Sequence, residues 1–248
     1  MKLKLKIVYH IAQMRPHWET IYREQCALIR ECINPDCIDA ILLSVLGGKP
    51  LEPLLPGAVE AFRSTDFKAY EFPALTIARE CARWAPDSPI LYIHTKGASR
   101  PDTRKLREWR RYMQWAVIEN VGRCVAEIAK GADIAGTEWH SGAWPTGSAQ
   151  PKTGDCAGFF AGNFWVASSS YLAGLAALAN DGNRWRAEGW IGTGDPNYFE
   201  LMNTGSRATN NKGVFADDFA RNHYTSDALP TTYAAISGVS LPERSRFR

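Results

Sequence analysis

The sequence lacks the features that would mark a membrane or secreted protein. It contains no run of about 18 apolar residues, the length that a membrane-spanning helix needs. The amino-terminal stretch MKLKLKIVYHIA alternates lysine with apolar residues, which is typical of a strand and not of the continuous apolar core of a signal peptide. We therefore expect no membrane span and a cytoplasmic protein.

Cysteine motifs and a strong net charge are also missing. The six cysteines are scattered, and no two of them have the CxxC spacing of metal or redox sites. In a chain of 248 residues without an export signal, this pattern favours reduced thiols and supports a cytoplasmic location. The formal net charge of +3 does not demand a nucleic acid as partner.

Positive charge is nevertheless concentrated in one stretch, SRPDTRKLREWRR, residues 99–111. At helical spacing, Arg104, Arg107 and Arg111 share one face. A local basic patch points to an anionic ligand, although most such runs are solvated helix surfaces, and that reading stays open.

What is present is an alternation of strands and helices in the first half of the chain. Strands are predicted at KLKIVYHIA, CIDAILLSVLGG, FKAYEFP and SPILYIHTKG, with helices at PHWETIYREQCALIREC and PALTIARECARWA. This rhythm predicts a mostly parallel central sheet flanked by helices, which is an α/β fold of the Rossmann-like kind. The length suits a single domain.

The second half is predicted to begin with a long helix from about Thr103 to Lys130. A strand at ADIAGTEWH follows, then a loop or lid from Ser141 to Gly158 that is rich in Gly, Pro, Ser and Thr. The stretch GFFAGNFWVA predicts one apolar strand. Helices are predicted at SSSYLAGLAALAN and, in broken form, at NRWRAEGWIGTGDPNYFELMN. The tail after Thr204 is polar and irregular.

The first candidate site is the stretch PILYIHTKGASR, residues 89–100, where a buried strand ends in polar residues. Ligands of open α/β sheets bind outside the carboxyl ends of the strands. An ammonium there can bind phosphate, a hydroxyl can donate a hydrogen bond, and a glycine lets backbone approach a ligand closely. The residues assigned to a diphosphate site are His94, Thr95, Lys96, Gly97 and, from the basic run, Arg110.

Two further stretches place polar groups among aromatic rings. In GFFAGNFWVAS, Asn163 follows Gly162 inside an apolar run, where Asn is uncommon. Its predicted role is to line a sugar pocket with Trp165, and the alternative is an Asn that satisfies a strand end or a bulge. In RWRAEGWIGTGDP, Glu188 near Trp190 is a candidate base or hydroxyl ligand, and the alternative is a surface ion pair.

Taken in order, ILYIHTKG, WRRYM, ADIAGTEW, GNFWVASSSYL and RWRAEGWIG resemble a group of bacterial and viral glycosyltransferase-like proteins with an HTKG motif. These belong to the nucleotide-diphospho-sugar transferase, or GT-A, superfamily. The resemblance covers roughly residues 85–195, and the preceding strand–helix order fits it. It implies one GT-A-like domain over residues 1–248, with a nucleotide-binding part at about 1–100 and an acceptor part at about 131–248.

The resemblance implies a glycosyltransferase that moves a sugar from a nucleotide-diphosphate donor to an acceptor hydroxyl in glycan or polysaccharide synthesis. UDP is a candidate carrier, whereas the base, the sugar, the acceptor and the oligomeric state stay open. Glu188 falls where inverting GT-A enzymes place the residue that takes the proton from the acceptor. The residues expected at the sugar and acceptor site are Gly162, Asn163, Trp165 and Trp190. Those expected to contact the nucleotide are Tyr9, His10 and Ile11.

The same resemblance raises the question of a metal. Many GT-A enzymes end the strand corresponding to PILYI in an Asp-x-Asp motif, which holds a divalent metal on the diphosphate. Here His94, Thr95 and Lys96 stand in that place, and an ammonium cannot be a metal ligand. Either Lys96 replaces the charge of the metal, or His94 holds Mn²⁺ or Mg²⁺ together with a group such as Asp217 or His223.

Two other functions stay open at this point. The missing Asp-x-Asp motif also fits a non-catalytic protein that keeps the fold and binds a nucleotide or a glycan. The basic run and the nine tryptophans fit a glycosyltransferase that acts on modified DNA bases. That reading predicts a steep salt dependence of DNA binding, but no nucleic-acid-binding motif favours it.

Overall fold

The computed structural model describes residues 4–142 and 153–202 of the chain. Nine strands lie in these ranges: β1 (Leu5–Ala12), β2 (Ile38–Leu46), β3 (Ala58–Ser64), β4 (Ile90–His94), β5 (Ile134–Gly136), β6 (Trp139–Ser141), β7 (Gly158–Phe160), β8 (Trp165–Ala167) and β9 (Tyr198–Glu200). The helices are α1 (Trp18–Cys32), α2 (Phe72–Trp84), α3 (Arg104–Gln114), α4 (Val121–Ala129), α5 (Ser169–Gly174) and α6 (Trp185–Gly189).

Seven strands form the central sheet in the order β3-β2-β1-β4-β8-β5-β9, while β6 and β7 pair separately. The first four strands of that order are parallel, β8 is antiparallel to both β4 and β5, and β9 is parallel to β5. The predicted α/β fold with a mostly parallel sheet and flanking helices is confirmed. Because β2 and β4 lie on opposite sides of β1, the strand order reverses between β1 and β4.

The sheet is buried on both faces, and the two faces belong to different halves of the core. On β1, Leu5, Ile7, Tyr9 and Ile11 face one cluster, which also contains residues of α1, α3 and α4. Val8 faces the second cluster, which is built with α2, α5 and α6. Because both faces are buried, the successive residues Ile7, Val8 and Tyr9 are all apolar although they point to alternate faces.

The prediction of a strand at FKAYEFP was wrong. Phe67–Ala69 forms a single 3₁₀ turn, capped by the Asp66 side chain, which accepts a hydrogen bond from the Lys68 amide. The third strand is β3, which precedes it in the chain. β3 lies at the edge of the sheet, and most of its side chains are exposed or half-buried, so it lacks the apolar pattern that identified its neighbours.

Several predicted elements are divided in the structure. The strand predicted at ADIAGTEWH forms β5 and β6, which belong to different sheets. The long helix from about Thr103 to Lys130 is interrupted by a π-helical turn, Trp115–Glu119. The strand predicted at GFFAGNFWVA is split by a turn at Gly162 and Asn163, whose φ angles are 90° and 58°. The last predicted helix ends early, and its carboxyl-terminal part contributes β9, which is too short to show a periodic signal.

Several expectations concern residues that the structure does not describe. Most of the predicted loop between Ser141 and Gly158 lies outside the described residues, and so do Asp217 and His223. Among the helices within residues 4–142 and 153–202, none is both long and apolar enough to cross a bilayer.

The close packing of the turn after α6 against β7 can be tested at Gly192. A Cβ added there would lie 1.8 Å from the carbonyl oxygen of Gly158, and backbone cannot move aside as a flexible side chain can. We expect Gly192→Ala to lower the free energy of unfolding by about 2–3 kcal/mol, measured by urea denaturation. The control is Gly174→Ala, where a Cβ meets nothing within 4 Å, and its effect should stay within about 1 kcal/mol. Equal effects of the two substitutions would contradict this packing.

Candidate active site

A cleft of about 580 Å³ opens at the carboxyl ends of β1 and β4. His10 at the end of β1 and His94 at the end of β4 are direct neighbours in the sheet, and both line the cleft. The cleft therefore lies where the strand order reverses, which is the usual position of a ligand site in an open α/β sheet. Its volume is in the range of small-molecule sites.

His94 forms the floor of the cleft and has partners at both ring nitrogens. Its Nε2 atom lies 2.9 Å from the carbonyl oxygen of Gly162, so Nε2 carries the hydrogen and donates it. Its Nδ1 atom lies 3.3 Å from Oε1 of Glu71, the residue that precedes α2. Burial lowers the pKa of His94, and Lys96 lowers it further, whereas Glu71 and the Gly162 carbonyl oxygen raise it; the net shift is downward.

Glu71 is the acidic partner of that ring. Its Oε2 atom accepts hydrogen bonds from the Tyr92 hydroxyl at 2.7 Å and from the Asn163 amide at 2.8 Å. Burial pushes the pKa of Glu71 up. The His94 ring, the His10 ring in the acid range where it is protonated, the Tyr92 hydrogen bond and Lys96 outweigh burial, so the pKa of Glu71 falls below the ordinary value. Glu71 is therefore an ionised carboxylate inside the wall of the cleft.

His10 lies beside this pair but is a neutral ring. Burial lowers the pKa of His10 to about 4; Glu71 raises it, and His94 lowers it further. Its Nδ1 atom is 3.4 Å from the Ser44 hydroxyl on the neighbouring strand β2. His10 can thus offer a hydrogen bond to a ligand without adding positive charge to the cleft.

Asn163 connects Glu71, Trp165 and α6 through its side-chain amide, and it does not line the cleft. Its Oδ1 atom accepts a hydrogen bond from the Trp165 indole at 2.9 Å. That contact fixes the amide, so that Nδ2 faces Glu71 and, at 3.4 Å, the carbonyl oxygen of Ala187 in α6. The predicted role for Asn163 and Trp165 in lining a sugar pocket is not what these contacts show. They are structural contacts, but their partners are Glu71, Trp165 and Ala187 and not the strand end or bulge of the alternative prediction.

The loop after β4, which carries Thr95, Lys96 and Gly97, is held by contacts with β1 and α3. The Thr95 hydroxyl accepts a hydrogen bond from the Ala12 amide at 2.9 Å, and Gly97 has a φ of +93°, which favours glycine. Arg110 is buried, with one guanidinium nitrogen 3.2 Å from the Lys96 carbonyl oxygen and another 3.3 Å from the carboxylate of Glu24. Arg110 supports the loop that carries Lys96, and it does not reach into the cleft.

The other predicted contacts with nucleotide and acceptor also lie away from the cleft. Tyr9 and Ile11 face the opposite side of the sheet from His10, and the Tyr9 hydroxyl donates to Gln25 at 2.5 Å. Trp190 is buried and donates its indole hydrogen to the Ala176 carbonyl oxygen at 3.0 Å. Of the three residues on β1, the structure places only His10 at the site.

Glu188 enters the cleft from α6 and faces three cations that line it: Lys96, Arg100 and Arg184. Its Oε2 atom is inaccessible to solvent and has no hydrogen-bond partner within the described part of the chain. Burial raises the pKa of Glu188; Lys96 opposes the rise, Glu71 adds to it, and Arg184 and Arg100 oppose it, with a net increase. A carboxylate with one unpartnered oxygen and a raised pKa, placed in a cleft, is the arrangement expected of a catalytic acid or base.

His94 offers a metal at most one ring nitrogen. Nε2 is occupied by the Gly162 carbonyl oxygen, so a metal at His94 would have to lie beside Nδ1 and the Glu71 carboxylate. Over residues 4–142 and 153–202, no group of three or more His, Cys, Asp or Glu side chains is arranged as a metal site. The other two residues proposed as ligands, Asp217 and His223, are outside the described ranges.

Sequence reasoning missed Glu71 and Arg184, which both line the cleft. Glu71 does stand directly before Phe72 and Pro73 at the start of a predicted helix, where a carboxylate is favourable. Nothing in the sequence, however, shows that this helix start reaches the end of β4. Its 23-residue separation from His94 is closed only by the packing of α2 on the sheet.

Neither of two comparisons with known proteins identifies a relative of this chain. A scan of protein-family models finds no match, and a search of curated proteins finds no significant one. The function is therefore inferred from the geometry of the cleft.

Because Asn163 makes several buried hydrogen bonds, we expect its replacement to lower the stability of the protein considerably. Asn163→Ala removes the donor to Glu71 and the acceptor for Trp165, and it places alanine in a left-handed backbone with a φ of 58°. We expect the free energy of unfolding to fall by about 2–3 kcal/mol. The matched control is Asn180→Ala at an exposed position, with an expected loss below about 1 kcal/mol. Similar losses in urea denaturation would argue against this role for Asn163.

Proposed function

We propose that this chain is a glycosyltransferase that moves a sugar from a nucleotide-diphosphate donor to the hydroxyl of an acceptor. The observation that carries the proposal is the meeting of two distant motifs in one cleft. Lys96 of the HTKG stretch and Glu188 of the RAEGWIG stretch both line the space at the carboxyl ends of β1 and β4. A cation for the leaving diphosphate and a base for the acceptor are the two groups that such a transfer needs.

In this proposal, Glu188 acts as the base. Its carboxylate takes the proton of the acceptor hydroxyl while that oxygen forms a bond to the anomeric carbon of the sugar. The bond between that carbon and the diphosphate oxygen breaks, and the diphosphate leaves with the electron pair. A raised pKa suits this role, because a base is most effective when its pKa lies close to the working pH.

The cations of the cleft stabilise the leaving group. Negative charge develops on the bridging oxygen as the bond to the sugar breaks, and fixed positive groups lower the energy of that state. Lys96 is half-buried and carried on a loop held by Arg110, so its backbone is in place before the donor binds. Arg184 is positioned by its stacking on Trp185, with a distance of 4.5 Å to the ring centre.

The base assignment is tested with Glu188→Gln, which keeps the size of the side chain and removes its ability to accept a proton. A panel of nucleotide sugars is assayed for released nucleoside diphosphate, and donor binding is measured separately by calorimetry. We expect turnover to fall by about 10²- to 10⁴-fold while donor binding is kept.

The control for this substitution is Glu127→Gln on α4, whose carboxylate pairs with Lys130 outside the cleft. It should leave turnover unchanged. Loss of donor binding in Glu188→Gln would make Glu188 a sugar ligand and not the base. Donor binding by the unaltered protein without any release of nucleoside diphosphate would instead identify a non-catalytic binding protein.

The pH dependence follows from the raised pKa of Glu188. The base must be ionised, so kcat/KM should fall as the pH is lowered through a value above the ordinary 4.5 of a glutamate. In Glu188→Gln, the residual rate should lose this acidic limb. A rate in the unaltered protein that stays flat down to pH 4.5 would contradict the assignment.

A further inference from the structure

We propose that Nδ1 of His94 and Oε1 of Glu71 together bind a divalent metal ion, Mn²⁺ in preference to Mg²⁺. The two atoms lie 3.3 Å apart, and both residues line the cleft. This ligand pair differs from the one that the resemblance suggested, in which Asp217 or His223 was the partner of His94. The site itself is independent of the proposed function, and only its use beside a diphosphate rests on that function.

The separation of the two atoms fits two ligands of one ion. Ligand atoms about 2.1 Å from a metal are about 3.0 Å apart at neighbouring octahedral positions and about 3.4 Å apart in a tetrahedral site. The observed 3.3 Å lies between these values. It is long for a hydrogen bond between an imidazolium and a carboxylate, which measures about 2.7–2.9 Å. The gap therefore suits an ion better than a shared proton.

The tautomer of His94 is fixed by a hydrogen bond on the other side of the ring. Nε2 donates to the Gly162 carbonyl oxygen at 2.9 Å, which leaves the lone pair of a neutral ring on Nδ1. Histidines that bind metals usually donate their second ring hydrogen to a carbonyl oxygen or a carboxylate in this way. The turn that contains Gly162 thus directs Nδ1 of His94 towards Glu71.

The carboxylate of Glu71 is oriented in a similar way. Its Oε2 atom accepts hydrogen bonds from the Tyr92 hydroxyl at 2.7 Å and from the Asn163 amide at 2.8 Å. Both donors act on this one oxygen, and the other oxygen, Oε1, faces the His94 ring. Carboxylates that bind metals are themselves hydrogen-bonded by such partners. Both proposed ligands are therefore held in place by neighbours that contact only their other polar atom.

The pair is accessible from the cleft. The side chain of His94 is 11 % exposed and that of Glu71 is 19 % exposed, so an ion can reach Nδ1 and Oε1 without unfolding of the wall. Two protein ligands leave the other coordination positions to water and to ligand oxygens, which is common where a metal binds phosphate. A nitrogen ligand disfavours Mg²⁺, which prefers oxygen, whereas the transition ion Mn²⁺ also accepts carboxylate and water oxygens.

The charges of the cleft favour an ion that binds together with an anionic ligand. Glu71 and Glu188 are its carboxylates, and Lys96, Arg100 and Arg184 are its cations. These cations weaken the binding of a bare metal ion, and the oxygens of a diphosphate would offset both them and the ion. A metal ion supplies Lewis-acid stabilisation to a leaving diphosphate, which would add to the stabilisation by Lys96.

The experiment adds Mn²⁺ to the metal-free full chain and follows the loss of the free-ion signal by electron paramagnetic resonance. We expect one saturable site, with binding weakened at least about tenfold in Glu71→Gln and in His94→Gln. The matched controls are Glu80→Gln, whose carboxylate pairs with Arg79 on α2, and His140→Gln on β6. Neither Glu80 nor His140 lines the cleft, so both control variants should bind Mn²⁺ as the unaltered protein does.

A second measurement uses the unaltered protein and so does not depend on whether a variant folds. Pulsed electron paramagnetic resonance detects the coupling of bound Mn²⁺ to the nitrogen nucleus of a directly ligated imidazole. We expect this coupling in the unaltered chain and in His140→Gln, and its loss in His94→Gln.

The proposal is overturned if the unaltered chain shows no saturable Mn²⁺ binding, which would leave only a proton between Nδ1 and Oε1. Bound Mn²⁺ without nitrogen coupling, or with the same affinity in Glu71→Gln, would also overturn it. Mn²⁺ held by His94 and Glu71, without release of nucleoside diphosphate from any nucleotide sugar, would defeat the proposed function and leave this site standing. Release of nucleoside diphosphate by a chain that binds no Mn²⁺ would do the reverse.

Discussion

The carboxylate of Glu71 is the group on which the rest of the cleft depends. It meets His94 at the end of β4, Tyr92 on the same strand, and Asn163 in the turn before β8. Asn163 extends this set of contacts to Ala187, the neighbour of Glu188 in α6. A carboxylate removed from water is costly unless hydrogen bonds compensate its charge, so these elements are held in one arrangement.

The same contacts give the two carboxylates of the cleft different chemistry. Glu71 accepts hydrogen bonds and lies near positive charge, which together outweigh its burial and lower its pKa. Glu188 has an oxygen without a hydrogen-bond partner among the described residues, and burial raises its pKa. When two neighbouring acids have pKa values shifted in opposite directions, they can have different roles. Here the acid with the lowered pKa, Glu71, suits a structural or electrostatic role, and the acid with the raised pKa, Glu188, suits proton transfer.

Unfavourable backbone conformations flank this carboxylate on both sides. Tyr70, directly before Glu71, has a φ of 46°, and Asn163 has a φ of 58° after Gly162 at 90°. Conformations of this kind cost free energy and persist only where surrounding contacts hold them. Space at Gly162 is also limited, because a Cβ would lie 2.9 Å from the Trp109 indole nitrogen and would have to displace the flexible end of Met113. The turn that holds His94 is therefore specified by conformation and by space.

The sequence by itself determined the α/β fold, the buried strands β1 and β4, and the position of the HTKG stretch at a strand end. These follow from local patterns, namely apolar runs, helical spacing and the change from apolar to polar residues, which need no knowledge of distant contacts. The two-residue period of a strand also contains the information that His10 faces away from Tyr9 and Ile11. Short or edge elements such as β3 and β9 were missed because their patterns are weak.

Only the tertiary structure decided which side chains share the cleft and which groups lie next to their charges. Arg110 belongs to the basic run, yet Glu24 and the Lys96 carbonyl oxygen occupy its guanidinium, while Arg184 reaches the cleft from a distant helix. Asn163 is buried behind the wall, and Glu71, which shows little local signal, compensates His94. The physical reason is that a buried polar group takes its role from the partners that packing supplies, and those partners are far away in the sequence.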